Sequence, residues 1–316
     1  MTDILFIKTS SLGDVIHHMP ALTEARAALP SARFAWLVEE AFAPLVRLHP
    51  AVDEVILVAW RRWRKSPAAP ATAVEIARAF RAIRARRYDV AIDTQGLLRT
   101  GLMVKAARGV RHGYDMTSVR ERLASAFYDV RHPVGRTLHA VERNRVLTGL
   151  ALGYTPQGEP DFGLDRAQLR DAGARPYAVL LHATARPEKE WPVAHWIALG
   201  TAIAARGIDV VLPWGTAPER ARSEQIAAAL PAARVPERAP LDQVARLIAG
   251  AQSVIGVDTG LLHLAAALGV PLVAIFAGSK PALTAPVGKG PLVTLGAQGA
   301  PPSVADVDEA LRDVLG

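Results

Sequence analysis

Apolar and polar positions repeat one arrangement in both halves of the chain. A run of four to six mostly apolar residues leads into a polar turn rich in Gly, Ser or Thr, and the turn leads into a helix rich in Ala, Leu and Arg. Short apolar runs that alternate with longer helices are typical of buried parallel strands. The pattern predicts strands at residues 4–7, 33–38, 54–58, 89–93, 177–181, 208–212, 253–257 and 271–276.

These strands and the helices between them indicate an α/β protein with two doubly wound domains. The length of 316 residues suits two domains, since a single domain commonly has roughly 150 residues. Residues 153–176 combine Gly, Pro and polar side chains, as linkers do, around a short amphipathic segment at 164–169. We therefore predict domains at 1–158 and 159–300, followed by a terminal segment at 301–316.

One stretch, residues 259–279, has no formally charged side chain and is about as long as the ~20 residues that span a bilayer. His263 lies inside it, Gly269 and Pro271 interrupt it, and Asp258 precedes it. This combination predicts a helix, a tight turn and a buried strand. Any membrane contact is therefore expected to be peripheral. The N-terminus lacks the basic region of a signal peptide, so we expect the protein to stay inside the cell.

Charge is distributed unevenly along the chain. Residues 1–154 carry 23 Lys and Arg against 14 Asp and Glu, whereas residues 155–316 carry 14 against 16. A basic half indicates an anionic partner, and charge alone does not distinguish a nucleic acid, a phospholipid surface and an acidic small molecule. The chain has no cysteine, so disulfides, thiolate metal sites and cysteine nucleophiles are excluded.

The usual nucleotide and hydrolase motifs are absent from the sequence: G-x-G-x-x-G, G-x-x-x-x-G-K-[ST], G-x-S-x-G and H-E-x-x-H. In open parallel sheets, ligands bind outside the carboxyl ends of the strands. The loops that follow the predicted strands are therefore where functional side chains are expected.

In the first half, Asp14 follows the first strand at the start of a helix. It is either a helix-end charge or a general base that accepts a proton from a hydroxyl. Four cations and two tryptophans share residues 60–65. This patch suits the phosphates or carboxylates of an acidic acceptor, anionic lipid head groups, or single-stranded nucleic acid.

In the second half, Arg186 and Lys189 lie beside Thr184 in the loop after a strand. They form either a solvated charge cluster or a group that neutralises a diphosphate. Residues 258–260 (DTG) end another strand and open an apolar helix, which presents N–H groups to phosphate oxygens. Glu219 follows a third strand as a helix-end charge or a ribose ligand.

Two other motifs are interpreted as structural. Asp306 and Asp308 imitate a metal site but lie just ahead of the last helix, with Ser303 three residues before Asp306, as in a helix N-terminus. His17 and His18 have no carboxylate at metal-ligand spacing.

Eight short segments are distinctive: residues 8–17 (KTSSLGDVIH), 38–40 (VEE), 61–65 (RRWRK), 93–97 (DTQGL), 139–143 (HAVER), 182–184 (HAT), 213–215 (PWG) and 257–260 (VDTG). In order and spacing they resemble the lipopolysaccharide heptosyltransferase I family. The resemblance implies a GT-B fold, in which two Rossmann-like domains face a central cleft, within glycosyltransferase family 9. It also implies that the terminal segment, with a helix at 307–315, packs back on the first domain.

The activity implied by this resemblance is transfer of L-glycero-D-manno-heptose from ADP-heptose to the first Kdo of Kdo2-lipid A, in lipopolysaccharide inner-core biosynthesis. The transfer would invert the anomeric centre and need no metal or other cofactor. The expected partners are the donor, the acceptor and the anionic inner membrane at its cytoplasmic face, without nucleic acid, and the protein is expected to be a monomer. A heptosyltransferase II-like enzyme, a nucleotide-sugar epimerase of the same fold and a nucleic-acid-binding protein are the alternatives.

Matching positions imply the roles of individual residues. Asp14 is the implied general base, and Lys189 the implied stabiliser of the departing diphosphate. The implied donor-binding residues are Thr184, Ala185, Lys189, Glu219, Asp258, Thr259, Gly260 and His263. The implied acceptor-binding residues are Ser10, Ser11, Gly13, Arg61, Arg62, Arg64, Lys65, Gln95 and Arg120. The sequence departs from the family at Ala185, where a second Thr is common, and at residues 278–281 (GSKP), where Thr-Asp-Pro is more usual.

Overall fold

The computed structural model describes residues 1–170, 175–184, 186–278 and 283–316. The chain forms two compact units, Met1–Gly163 and Leu164–Gly316. The boundary falls inside the predicted linker, a few residues beyond the predicted position at 158. Each unit has its own parallel sheet and its own helices.

The first unit is built on a six-stranded parallel sheet with the order β3-β2-β1-β4-β5-β6. Its strands are β1 (Asp3–Ile7), β2 (Arg33–Glu39), β3 (Glu54–Val58), β4 (Arg87–Asp93), β5 (Arg108–Tyr114) and β6 (Val130–His132). Its helices are α1 (Leu12–Ile16), α2 (Met19–Ala28), α3 (Ala43–Val46), α4 (Trp60–Trp63), α5 (Pro70–Arg84), α6 (Leu98–Ala106) and α7 (Ala140–Leu152). The central strand β1 is buried from Ile4 to Ile7, as its uninterrupted apolar run predicts.

The second unit repeats this topology in a parallel sheet with the order β12-β11-β10-β7-β8-β9. Its strands are β7 (Tyr177–Leu181), β8 (Asp209–Val211), β9 (Ala233–Arg234), β10 (Ser253–Val257), β11 (Leu272–Ile275) and β12 (Leu292–Leu295). Its helices are α8 (Arg166–Leu169), α9 (Val193–Ala204), α10 (Ala217–Ala227), α11 (Leu241–Gly250), α12 (Gly260–Ala267) and α13 (Val304–Leu315). Counted from its own first strand, each sheet has the strand order of dinucleotide-binding folds.

The last helix packs on the core of the second unit. Ser303 and Asp306 form a capping box that starts α13, and Val307, Leu311 and Val314 are buried at the spacing of one helix face. This face packs on α9 and on β10–β12, within the core of the second unit. The main contacts of α13 are with its own unit, because its apolar stripe completes that core. The packing on the first domain that the family resemblance implied stays a prediction.

The uncharged stretch at 259–279 folds as predicted over its described part. It forms α12, a turn at Gly269 with φ of 67°, and the buried strand β11. A positive φ is accessible to glycine at little cost, so the helix can end and the chain reverse here. Among the described residues, no helix is long and apolar enough to cross a membrane.

Candidate functional site

Both sheets have a topological switch point, where neighbouring strands lead to helices in opposite directions along the sheet. It lies between β1 and β4 in the first unit and between β7 and β10 in the second. Crevices outside the carboxyl ends of such strands are the usual ligand sites of open α/β sheets. Several of the predicted site residues follow these four strands.

In the first unit, hydrogen bonds join the loops that follow β1 and β4. The backbone N–H groups of Thr9 and Ser10 both donate to Oε1 of Gln95, each over 3.1 Å. Asp93, which is fully buried, accepts from the N–H groups of Gln95 and Gly96 and from the Tyr128 hydroxyl. Burial raises the pKa of Asp93. Gln95 is therefore part of the support for the loop that leads to Asp14.

Asp14 lies in the first turn of α1 and is partly buried. Its Oδ2 atom accepts from the Ser11 N–H over 2.8 Å and from the Ser11 hydroxyl over 3.2 Å. Both contacts come from the neighbouring turn, and together they fix the carboxylate at the helix N-terminus. Ser11 is exposed beside it, whereas Gly13 is buried within α1.

Lys8 is a buried cation that our assignment of site residues omitted. Its ammonium donates to the carbonyl of Thr94 over 2.8 Å and to Oδ1 of Asn144 over 3.2 Å. Burial lowers its pKa, while the charges of Asp14 and Asp93 act in the opposite direction. A lysine at the end of an apolar strand is the signal that could have identified it.

The cationic patch after β3 surrounds a cavity of about 420 Å³ in the first unit. Arg61, Arg64 and Ser10, three of the predicted acceptor residues, line the cavity. Trp60 and Trp63 form part of its wall, with their rings 5.2 Å apart in an edge-to-face arrangement. The cavity thus brings guanidinium groups, a hydroxyl and aromatic surface together.

Two cations of the patch, Arg62 and Lys65, are not among the described residues that line the cavity. The guanidinium of Arg62 pairs with Glu40 at 2.9 Å and with Glu75 at 2.7 Å, and these hydrogen bonds raise its pKa. Lys65 is exposed, as is the predicted acceptor residue Arg120. Arg62 therefore connects α4 to the residue that follows β2 and to α5.

In the second unit, Lys189 and Asp258 come together at the switch point. Nζ of Lys189 lies 2.5 Å from Oδ2 of Asp258, and both side chains are mostly buried. The Thr184 hydroxyl donates to the Asp258 carbonyl over 3.2 Å. Thr259 is the N-cap of α12 and Gly260 its first residue, so the N–H groups of the first turn are available to an anion.

The other predicted donor-binding residues lie at different places in the second unit. His263 is 6% exposed on α12. Glu219 lines a second cavity, of about 430 Å³, with Thr184 and Thr216. Its Oε2 atom accepts from the Gly215 N–H over 2.7 Å, so it fixes the loop after β8. Ala185 and Lys280 lie outside the described residues.

His182 is a further residue that our assignment omitted. It is fully buried directly after β7, with Nε2 2.7 Å from the Ser223 hydroxyl on α10. Burial lowers its pKa to about 4, so it is neutral at physiological pH. It connects the strand that leads to Thr184 with the helix that carries Glu219.

The motifs interpreted as structural fold accordingly. Asp306 accepts from the Ser303 N–H over 2.9 Å, which is the predicted helix-start contact. The ring of His18 packs edge-on against Phe6 and Trp36, and burial holds its pKa well below the usual value. Within the described ranges, no group of three or more His, Cys, Asp or Glu side chains is placed to hold a metal ion.

Two parallel sheets of this order, each with polar and charged side chains at its switch point, define a two-unit α/β enzyme of the GT-B class. Residues 76–310 match the model of glycosyltransferase family 9 (heptosyltransferase). The lipopolysaccharide heptosyltransferase 1 of Escherichia coli K12 is 44% identical over 297 residues, which is 92% of each chain.

Two solved structures support this assignment. The E. coli heptosyltransferase WaaC with ADP has a TM-score of 0.93 and 39% identity, over 99% of both chains. The same enzyme with ADP-2-deoxy-2-fluoro heptose has a TM-score of 0.87 and 40% identity, over 99% of this chain and 98% of that one. The chain belongs to glycosyltransferase family 9 and is a glycosyltransferase. The predictions of family and fold class are confirmed.

Proposed function

We propose that the protein transfers L-glycero-D-manno-heptose from ADP-heptose to the first Kdo of Kdo2-lipid A, with inversion at the anomeric carbon. The observation that carries this proposal is the 44% identity, over 92% of each chain, with a lipopolysaccharide heptosyltransferase 1. A relative whose structure holds ADP-2-deoxy-2-fluoro heptose supports the donor. Lipopolysaccharide inner-core biosynthesis is the corresponding process.

The second unit binds the donor. Lys189 supplies a cation and the first turn of α12 supplies N–H groups, both beside Asp258. A diphosphate gains negative charge as it leaves the sugar, and fixed donors of this kind stabilise that charge without rearrangement. Thr184 contributes a hydroxyl to the same group, and Glu219 receives the ribose hydroxyls. The carboxylate of Asp258 holds the Lys189 ammonium in place and contacts the heptose.

The first unit binds the acceptor and removes its proton. The carboxylate of Asp14 takes the proton of the Kdo hydroxyl, and the freed oxygen attacks the anomeric carbon from the face opposite ADP. The bond from that carbon to the diphosphate oxygen breaks in the same displacement, which inverts the centre. Ser10, Arg61 and Arg64 orient the acidic acceptor from the cavity that they line.

The protein acts at the cytoplasmic face of the inner membrane through peripheral contact. The acceptor is a lipid, and anionic head groups attract clustered Lys and Arg side chains. The excess of 23 basic over 14 acidic residues in positions 1–154 supports this contact.

A transfer assay read by mass spectrometry tests the proposed function. ADP-heptose and Kdo2-lipid A should give one product heavier by a single heptose, and the new linkage should have the anomeric configuration opposite to the donor. ADP-mannose serves as a second donor, and a reaction without acceptor reports any epimerase activity. Absence of the heptosylated product, or conversion of the donor without acceptor, would contradict the proposal.

A further inference from the structure

The cavity of the first unit has an excess of positive charge. Three arginines line it: Arg61 on α4, Arg64 at the end of α4, and Arg99 on α6. Glu39 is the single carboxylate among its described lining residues. Three guanidinium groups around one cavity repel one another unless an anion enters.

Glu39 is already engaged by the backbone. Its carboxylate accepts from the N–H of Trp60 and from the N–H of Arg61, each over 3.0 Å, and its side chain is 2% exposed. These bonds hold the start of α4 to the end of β2. Glu39 therefore holds backbone N–H groups, and among the described residues no ion pair joins it to Arg64 or Arg99.

Arg99 has unused hydrogen-bonding capacity. Its Nη2 atom donates to the Ser10 hydroxyl over 2.8 Å, and its Nε is buried without a hydrogen-bond partner among the described residues. A guanidinium offers five N–H donors, and a buried donor that lacks an acceptor is unfavourable. The described contacts of Arg99 use one of these donors, so N–H groups remain for an oxyanion in the cavity that Arg99 lines.

The rest of the wall is apolar. Trp60, Trp63 and Ile76 contribute to it, and the volume of about 420 Å³ is in the range of small-molecule sites. A group that combines an oxyanion with a compact ring therefore fits better than a bare inorganic ion.

We propose that this cavity binds the carboxylate of the acceptor's sugar acid, with Arg99 as a specificity-determining residue beside Arg61 and Arg64. This inference rests on the proposed function and deepens its acceptor site. Because Arg99 also holds Ser10, four residues before Asp14, a carboxylate bound here fixes the sugar relative to the loop that carries the base.

Kinetics of three variants test the role of Arg99. Arg99→Met should raise the acceptor KM at least about tenfold, the effect of one lost charge-assisted hydrogen bond. The ADP-heptose KM should stay within about twofold, since the proposed donor residues belong to the second unit. Arg99→Lys should recover part of the loss, because lysine keeps the charge but not the paired N–H donors of a guanidinium. Arg81→Met, on the exposed surface of α5, is the matched control. An unchanged acceptor KM in Arg99→Met would overturn the proposal.

Modified acceptors distinguish a carboxylate from a phosphate. With methyl-esterified Kdo carboxylates, the wild-type enzyme should bind the acceptor more weakly, and Arg99→Met should add no further loss. With the lipid A phosphates removed, the effect of Arg99→Met should persist in full. The opposite pattern, in which only phosphate removal abolishes the effect, would assign the cavity to phosphate and overturn the carboxylate proposal.

Direct binding of free Kdo separates this inference from the proposed function. Because Trp60 and Trp63 line the cavity, Kdo should change the tryptophan fluorescence of the wild-type protein without any donor, and Arg99→Met should weaken that binding. Kdo methyl ester is the control ligand. Equal binding of Kdo by wild type and Arg99→Met refutes the subsite. If Kdo binds as expected but no heptose is transferred, the proposed function fails and the subsite stands.

Discussion

Asp14 is a residue whose structural role and proposed chemical role use the same atoms. A carboxylate in the first turn of a helix is favoured by the helix dipole and by the N–H group that it accepts from. These contacts occupy Oδ2 through Ser11. A helix cap and a general base are therefore compatible at this position, and only a change of chemistry at constant shape separates them.

Asp14→Asn makes that change. An asparagine has nearly the same shape and also caps helices, but it cannot accept a proton at neutral pH. We expect kcat to fall at least about 100-fold, the usual contribution of a general base, with the affinity for ADP-heptose unchanged. Steady-state kinetics and calorimetric titration of the donor measure these two quantities.

Asp306→Asn is the matched control for this prediction. Asp306 also accepts from a serine three residues earlier in a capping box, at the start of α13. Each variant alters a capping box of the same kind at the start of its own helix. A loss of stability from a weakened cap should therefore appear in both variants, whereas the loss of kcat should appear in Asp14→Asn. Near-normal turnover in Asp14→Asn would remove Asp14 from the role of base.

Sequence patterns predicted the strand-to-helix loops better than the partners of each side chain. The polar turns after β1 and β7 were predicted because a strand-to-helix junction leaves N–H groups exposed. The tie of Arg62 to Glu40 and Glu75 and the contact between Arg99 and Ser10 both depend on residues distant in sequence. Periodicity carries no information on such pairs, so neither contact could be predicted from the sequence.

At the scale of elements, prediction succeeded for buried strands and failed for several partly exposed ones. All eight predicted strands are present: three have the predicted bounds, and the ends of the other five differ by one or two residues. Four others were missed: β5, β6, β9 and β12. Each of these is short or largely exposed, as in β5, whose first three residues are exposed. A strand without two buried faces does not need a continuous apolar run, so its sequence resembles a loop.

Arg145 on α7 holds several elements of the first unit together. Its side chain is 4% exposed and pairs with Glu24 on α2 at 2.5 Å and with Glu142 at 2.6 Å. It also donates to the carbonyls of Gln157 and Gly158. One guanidinium thus connects two helices with the chain that follows α7.

Arg145→Met should destabilise the protein, because it leaves Glu24 without its cation and two carbonyls without a donor. Breaking a buried pair by removing one partner costs about 3 kcal/mol or more. That corresponds to a fall in Tm of roughly 6–12 °C for a unit of this size. Thermal unfolding followed by circular dichroism measures it, with the exposed Arg81→Met expected to stay within about 2 °C. A similar Tm for both variants would refute this role for Arg145.

At the scale of the whole molecule, buried histidines link stability to pH. Burial lowers the pKa values of His49, His112 and His182 to about 4 in the fold, from an ordinary value of 6.5. Between these values the unfolded chain binds more protons than the folded chain, so stability falls as the pH decreases. Asp93 and Glu39 act in the opposite direction, because burial raises their pKa values and protonation then favours the fold.

His49→Gln isolates one contribution to this balance. His49 is 1% exposed, with Nε2 3.1 Å from the Thr23 hydroxyl and Nδ1 accepting from the Ala51 N–H. The wild type should be more stable than the variant at pH 7.5, since the neutral ring makes both bonds. Only the wild type has the His49 ring, which takes up a proton in the unfolded chain at a higher pH than in the fold. The difference in unfolding free energy between wild type and variant should therefore shrink by on the order of 3 kcal/mol as the pH falls from 6.5 to 4. Urea unfolding at several pH values measures the difference, in which the carboxylates common to both proteins cancel. An advantage that stays constant over this range would show that His49 is not held neutral by the fold.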